Sequence, residues 1–296
     1  MGNDRIKPNF LLVGAGKSAT RSLYNYLIQH PDVFMPSLKE PQFFVARQVA
    51  GRIQKWVEDE QAYFRLFANA AGKKAIGEAS VMYLLFYEEA IKNILHYLGP
   101  EVRIMMILRH PVERAYSAYN FVHLNNPAER YSFEEALQLE EERWQKGESL
   151  FMQYRRMSLY ADAVQAYLQH FPHVHIMWYD EFRQHPDKVL KGVFEFLGLR
   201  SDVVIDYSKV WNKGGRRWKN PLIRWLLMSD NVFKRILKFF FRRRRGVRTH
   251  EFFTRNFMEQ IEPMNPETRR QLVDYFRADV LRLQQLTGRD LSSWLQ

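Results

Sequence analysis

Phe10-Leu-Leu-Val-Gly14-Ala-Gly16-Lys17-Ser18-Ala19-Thr20-Arg21-Ser22-Leu23 passes from a short apolar run, through two glycines, into a stretch with helical spacing. The apolar run predicts a buried strand. Leu23, Leu27 and the ring of Tyr24 predict a helix over Ser18–Gln29, stopped before Pro31 by the restriction a proline places on its predecessor. A strand that feeds a loop and then a helix gathers backbone N–H groups and the positive end of the helix dipole at one point. Such a point holds an anion.

The same alternation continues outward. Further strands are predicted over Lys74–Glu78, Val102–Leu108 and Val174–Trp178, the first strand itself covering Asn9–Val13. Pro111 starts a helix to Leu124, a position where its missing N–H is no loss, and Val189–Leu197 follows Pro186 and is closed by Gly198. Other helices are expected over Ile53–Phe67, Phe133–Lys146, Tyr154–His170, Leu222–Phe241 and Glu267–Thr287. Strands alternating with helices predict an α/β fold, three layers with a central parallel sheet. With no repeat, low-complexity tract or linker, residues 1–296 are expected to form a single domain.

Composition narrows the function. Lys and Arg number 44 against 33 Asp and Glu, a net charge of +11, which suits an anionic ligand, a membrane surface or a nucleic acid. The absence of cysteine excludes disulfides and thiolate metal sites, and the histidines show no ligand spacing, so no metal is expected. No readout module accompanies the basic residues, which speaks against nucleic acid. The start is charged, MGNDRIKPNF, and no run approaches the length of a spanning helix, so a soluble, cytoplasmic protein is expected.

Three readings compete for the first loop, beside the plain one in which Gly14 and Gly16 make a tight turn and Lys17 is solvated. Gly14-x-Gly16-x-x-Ala19 suits a dinucleotide fold, but that fold needs an acidic residue after a second strand, and the chain there reads His-Pro-Asp-Val-Phe-Met-Pro with hardly any strand. Gly16-Lys17-Ser18 suits a P-loop kinase. In that reading the first glycine of the motif falls at Leu11, and Arg109 ends the strand where an aspartate for magnesium belongs.

The third reading is a resemblance. Gly14, Gly16, Lys17, Ser18, Ala19, Thr20, Arg21 and Ser22 resemble the 5′-phosphosulfate loop of the sulfotransferases that use 3′-phosphoadenosine 5′-phosphosulfate, whose fold is P-loop-like. Arg109-His-Pro111-Val-Glu113-Arg114-Ala-Tyr116-Ser117 resembles the segment of that family in which Arg109 and Ser117 would grip the 3′-phosphate, with Glu113 and Arg114 as surface or architectural pairing. Lys39-Glu40-Pro41-Gln42-Phe43-Phe44 resembles the segment that carries the catalytic carboxylate in heparan-type members. The resemblance implies that Lys17 steadies the leaving phosphate and that Glu40 takes the acceptor's proton. Gly77-Glu78-Ala79-Ser80-Val81-Met82-Tyr83 resembles a further segment and leaves Glu78 as a second candidate base, although Ala79 and Val81 replace the family's lysine and proline.

The resemblance also implies Tyr179, in Trp178-Tyr179-Asp180-Glu181, near the adenine, and Gly214, Gly215 and Arg216 in a loop over the nucleotide. The implied product is 3′-phosphoadenosine 5′-phosphate, and the acceptor a saccharide, lipid or small molecule. Leu222–Phe241 and the run Arg242–Arg245 would suit an anionic membrane or acidic polymer, or form a solvated face. A basic binding protein without turnover therefore stays open beside the enzyme.

Overall fold

A computed structural model of the chain describes residues 5–208, 216–218 and 258–296. Five strands, β1 (Phe10–Gly14), β2 (Val33–Phe34), β3 (Ala75–Ala79), β4 (Arg103–Leu108) and β5 (Val174–Trp178), form one sheet in the order β2-β3-β1-β4-β5. All of its pairings are parallel. The central strand is buried along its whole length, as a strand covered on both faces must be.

Side chains alternate between the two faces of a strand, and the core divides accordingly. Leu11 and Val13, with Ile104, Met106 and Leu108, pack on one side; Phe10 and Leu12, with Met105 and Ile107, pack on the other. The second side is covered by α1 (Thr20–Leu27), α10 (Tyr179–Gln184) and α11 (Pro186–Phe196) through Leu23, Leu27, Phe182, Leu190 and Phe194. The first carries the larger layer: α4 (Met82–Leu85), α5 (Tyr87–Leu98), α6 (Pro111–Asn125), α9 (Ala161–His170) and α12 (Pro266–Thr287). Short α2 (Ala46–Val49), α3 (Glu60–Arg65), α7 (Phe133–Gln138) and α8 (Glu140–Gln145) join that side. The predicted three-layer α/β architecture is therefore present. Separately, β6 (Arg216–Trp218) pairs antiparallel with β7 (Met258–Gln260) and runs beside α6.

Several elements depart from the sequence reading. Helix over Ile53–Phe67 is confined to α3, because the Asp59 carboxylate accepts from the Ala62 N–H (2.7 Å) and starts the helix there. The preceding residues are pinned irregularly, Val57 N–H donating to the Pro41 carbonyl. The helix expected over Phe133–Lys146 is two, α7 opened by a Ser132–Glu135 capping box and α8 following a break at Leu139. Tyr154–His170 holds one 3-10 turn at Arg156–Ser158 and becomes α-helical only from Ala161, where Asp279 of α12 accepts from the N–H groups of Tyr160 and Ala161. The stretch read as hardly any strand contains β2, whose two residues pair with β3. Gly198 closes α11 with φ 69°, as predicted.

Candidate active site

The loop after β1 turns so closely that a Cβ on Gly14 would lie 2.9 Å from the Leu84 Cβ, a contact real side chains do not make. Lys17 and Ala19 then take left-handed conformations, φ 70° and 67°, which cost a non-glycine residue about 1 kcal/mol or more each. Ala19 precedes α1 without any side-chain cap, so the first N–H groups of that helix keep no side-chain partner from the cap residue. Gly16, Ser18, Thr20 and Ser22 complete the turn and the first helical residues, with Arg21 exposed. The Ser18 hydroxyl is buried and has no hydrogen-bond partner among the described residues. An anion accepting from these groups would relieve both the strain and the orphaned hydroxyl.

Charge points the same way. The Lys17 pKa is lowered to about 8, by burial first and then by the guanidinium groups of Arg109, Arg114 and Arg21, with the Glu40 carboxylate acting oppositely. Arg109, at the end of β4, donates to the Lys17 carbonyl (3.2 Å) and lies over the Tyr179 ring at 4.5 Å. The Lys17 ammonium sits 4.0 Å from the centre of the Phe121 ring. Arg114, Ser117 and Phe121 follow one another at three and four residues along α6 and so share a face, which the Lys17 contact turns toward the loop. Lys17, Arg109 and Tyr179 are thus gathered at the carboxyl end of the sheet, where parallel α/β proteins bind ligands.

Arg114 is not the surface or architectural partner of Glu113. It is fully buried, donates to the Tyr154 carbonyl (2.8 Å), and has its pKa lowered to about 10 by burial, while Glu113 pairs with Arg269 of α12. The spacing carries a signal for that difference, because Arg114 shares the face of Ala118, four residues on, which is also buried.

Across the loop, Glu40 and Gln42 flank Pro41 with φ 64° and 56°, a second pair of left-handed non-glycine residues. Glu40 starts no helix. Its N–H donates to the Ala79 carbonyl (3.0 Å), and its two carboxylate oxygens accept from Lys39 Nζ (2.6 Å) and Gln42 Nε2 (3.3 Å). Glu40 opens onto a cleft of about 430 Å³ that it lines with Leu38, Pro41, Gln54, Lys55 and Trp56. Glu78 differs. It is 1 % exposed, accepts from the hydroxyls of Ser80 (2.8 Å) and Tyr83 (2.6 Å), and has its pKa raised to about 7 by burial.

Gly214 and Gly215, the expected helix Leu222–Phe241 and the run Arg242–Arg245 lie outside the described residues; of Arg216 the backbone alone is described, in β6. Among the described residues no helix is long and apolar enough to cross a membrane.

Residues 7–265 match the sulfotransferase domain family. Among curated relatives, the bifunctional heparan sulfate N-deacetylase/N-sulfotransferase 3 of Homo sapiens is 28% identical over 205 residues, 66% of this chain and 23% of the relative. Carbohydrate sulfotransferase 15 of Mus musculus is 29% identical over 175 residues, 46% of this chain and 31% of the relative. The chain thus spans under a third of the length of these relatives. The crystal structure of a sulfotransferase from Alicyclobacillus acidocaldarius superimposes with a TM-score of 0.76 at 32% identity, over 98% of this chain and 100% of that one.

Proposed function

The chain belongs to the sulfotransferase family, and from that premise we propose that it moves a sulfuryl group from 3′-phosphoadenosine 5′-phosphosulfate to a hydroxyl or amine of a saccharide. One observation carries the reading: Arg109, Arg114 and Arg21 crowd their charge on Lys17 in a strained loop, and the carboxylate of Glu40, which also acts on Lys17, stands in the wall of a cleft. Like charges gathered this closely favour binding of a polyanion, and a carboxylate at their edge suits proton removal.

In this reading the loop Gly16–Ser22 holds the 5′-phosphate with N–H groups and hydroxyls, while Arg109 and Ser117 hold the 3′-phosphate. Tyr179, already under the Arg109 guanidinium, stands beside the adenine. The donor supplies a sulfuryl group with a good leaving phosphate. Lys17 places its ammonium against the charge that grows on the bridging oxygen, and Glu40 takes the proton from the attacking oxygen or nitrogen. Lys39 and Gln42 fix one oxygen of Glu40 each, which aims the carboxylate. The reading is tested by incubating the protein with ³⁵S-labelled donor and unsulfated saccharide chains and looking for label on the saccharide; label retained wholly on the nucleotide or released as free sulfate speaks against it.

The cleft supports the choice of a saccharide. Trp56 offers a flat apolar face, and Gln54 and Lys55 beside it offer hydrogen bonds and a positive charge. Trp56→Ala is expected to raise the acceptor KM by roughly 3- to 10-fold, the effect of losing about 1 kcal/mol of aromatic contact, with donor affinity unchanged. Trp56→Phe, which keeps a ring face, should lie between, and steady-state kinetics on both variants reads the order.

Lys17 makes donor binding depend on pH. Phosphates beside the ammonium raise its pKa above the value of about 8 in the free protein. Below that pH the lysine is already charged and affinity should be flat. Above it, binding must take up a proton, and affinity for 3′-phosphoadenosine 5′-phosphate should fall by up to about tenfold per pH unit. Lys17→Arg, charged throughout, should remove the dependence. Calorimetry from about pH 7 to pH 9.5 checks this against the reference range of lysine; a wild-type affinity constant over that span contradicts it.

A further inference from the structure

The buried carboxylate of Glu78 has no access to the cleft, yet it sits behind the loop that carries Glu40. Both of its oxygens accept from hydroxyls, Ser80 Oγ at 2.8 Å and Tyr83 Oη at 2.6 Å. Each hydroxyl in turn accepts from a backbone N–H of the Glu40 loop: Gln42 N–H donates to Ser80 Oγ (3.0 Å) and Phe44 N–H to Tyr83 Oη (3.4 Å). A hydroxyl has one proton. By drawing both protons inward, the carboxylate turns lone pairs outward to the two backbone donors. Gln42 is thereby held in its left-handed conformation, from which its side-chain amide reaches Glu40 Oε2.

We propose that Glu78 is a positioning residue for Glu40, acting through Ser80 and Gln42. The inference rests on the reading of Glu40 as the general base. It assigns Glu78 no contact with either substrate.

The chain of bonds requires Glu78 to accept twice. Protonation turns one oxygen into a donor and makes it a weaker acceptor, so the hydroxyl bonded there is held less firmly with its lone pair toward the backbone N–H. Groups on every side bear on this ionisation. Lys39 of the loop and the hydroxyl bonds from Ser80 and Tyr83 favour the carboxylate; burial and Glu40 oppose it. Tyr63 of α3, Tyr83 of α4 and Tyr167 of α9 face it as neutral phenols whose own pKa values are pushed up by burial and by Glu78. The balance leaves Glu78 titrating at about 7.

Activity and stability should then move oppositely. Turnover should fall as pH drops through about 7 and Glu78 takes up its proton. The folded state binds that proton more tightly than the unfolded chain, whose glutamate titrates near its ordinary value, so the contribution of this group to stability rises as pH falls between the two values. A residue that only supported the fold would move both together.

The test follows turnover as release of 3′-phosphoadenosine 5′-phosphate in the presence of desulfated heparin, which counts transfer to sugar and to water alike. Glu78→Gln, able to accept from only one hydroxyl, is expected to lower turnover by about 10- to 100-fold, the usual loss when a group orienting a functional residue is removed. Donor affinity and the fold should be kept, and the limb near pH 7 should vanish. Ser80→Ala cuts only the arm to Gln42 and should reproduce most of the loss, whereas Tyr83→Phe, an equally buried deletion on the other arm, should cost less turnover. In a Glu40→Gln background, Glu78→Gln should cause no further loss, because residues acting as a unit are not additive.

A further loss on adding Glu78→Gln to Glu40→Gln that is as large as its loss in the wild-type background contradicts the coupling. So does a Ser80→Ala protein with wild-type turnover. A Glu40→Gln protein with wild-type turnover contradicts instead the base assignment on which the inference stands.

Discussion

Glu40→Gln is expected to lower turnover by about 100- to 10,000-fold, the span a positioned general base contributes, while leaving affinity for the donor product unchanged. The substitution keeps size and the capacity to accept from Lys39, and removes basicity alone. The backbone agrees with a functional role. The two left-handed residues that flank Pro41 cost free energy, and strain of this kind clusters where it aims a functional group. Sulfation rate measured beside calorimetric binding of 3′-phosphoadenosine 5′-phosphate separates the two effects. If Glu40→Gln turns over normally and Glu78→Gln is dead, the base is Glu78, against its burial behind two hydroxyls.

Arg109→Ala is expected to weaken binding of 3′-phosphoadenosine 5′-phosphate by about 2 to 5 kcal/mol, the range for truncating one member of a desolvated charge pair, or roughly 30- to 5,000-fold in Kd. The guanidinium is held ready for a planar anion by its bond to the Lys17 carbonyl and by the Tyr179 ring. Its loss removes a phosphate contact and loosens the loop. Adenosine 5′-phosphosulfate, which lacks the 3′-phosphate, should be far less sensitive to the change. Comparable losses for both nucleotides, read by calorimetry, would place Arg109 away from the 3′-phosphate.

The parts legible in sequence are those whose chemistry is local. Two glycines after an apolar run announced the turn at Gly14–Ser18, Pro111 announced the start of α6, and the alternation of β-rich and helical stretches announced the parallel sheet. Helix α5 was legible and missed: Ala90, Ile91 and Ile94 form an apolar stripe behind the acidic Glu88 and Glu89, with Gly99 at the end. Other features depend on residues distant in the chain. Asp279 accepts from N–H groups at the start of α9, and the buried Arg114 donates to the Tyr154 carbonyl. The cleft joins Leu38–Pro41 to Gln54–Trp56 through a segment that the sequence reading assigned to a helix. Nor does any propensity announce four left-handed residues that are Lys17, Ala19, Glu40 and Gln42 instead of glycine.

On the proposed function, the strained loop and its cations bind a nucleotide carrying both a 5′- and a 3′-phosphate without help from a metal. Calorimetric titration of the protein with 3′-phosphoadenosine 5′-phosphate in the presence of a chelator should show saturable binding at one nucleotide per chain, weakened in Arg109→Ala. Absence of binding under chelation, together with magnesium-dependent binding of ATP, would contradict it and return the loop to the kinase reading.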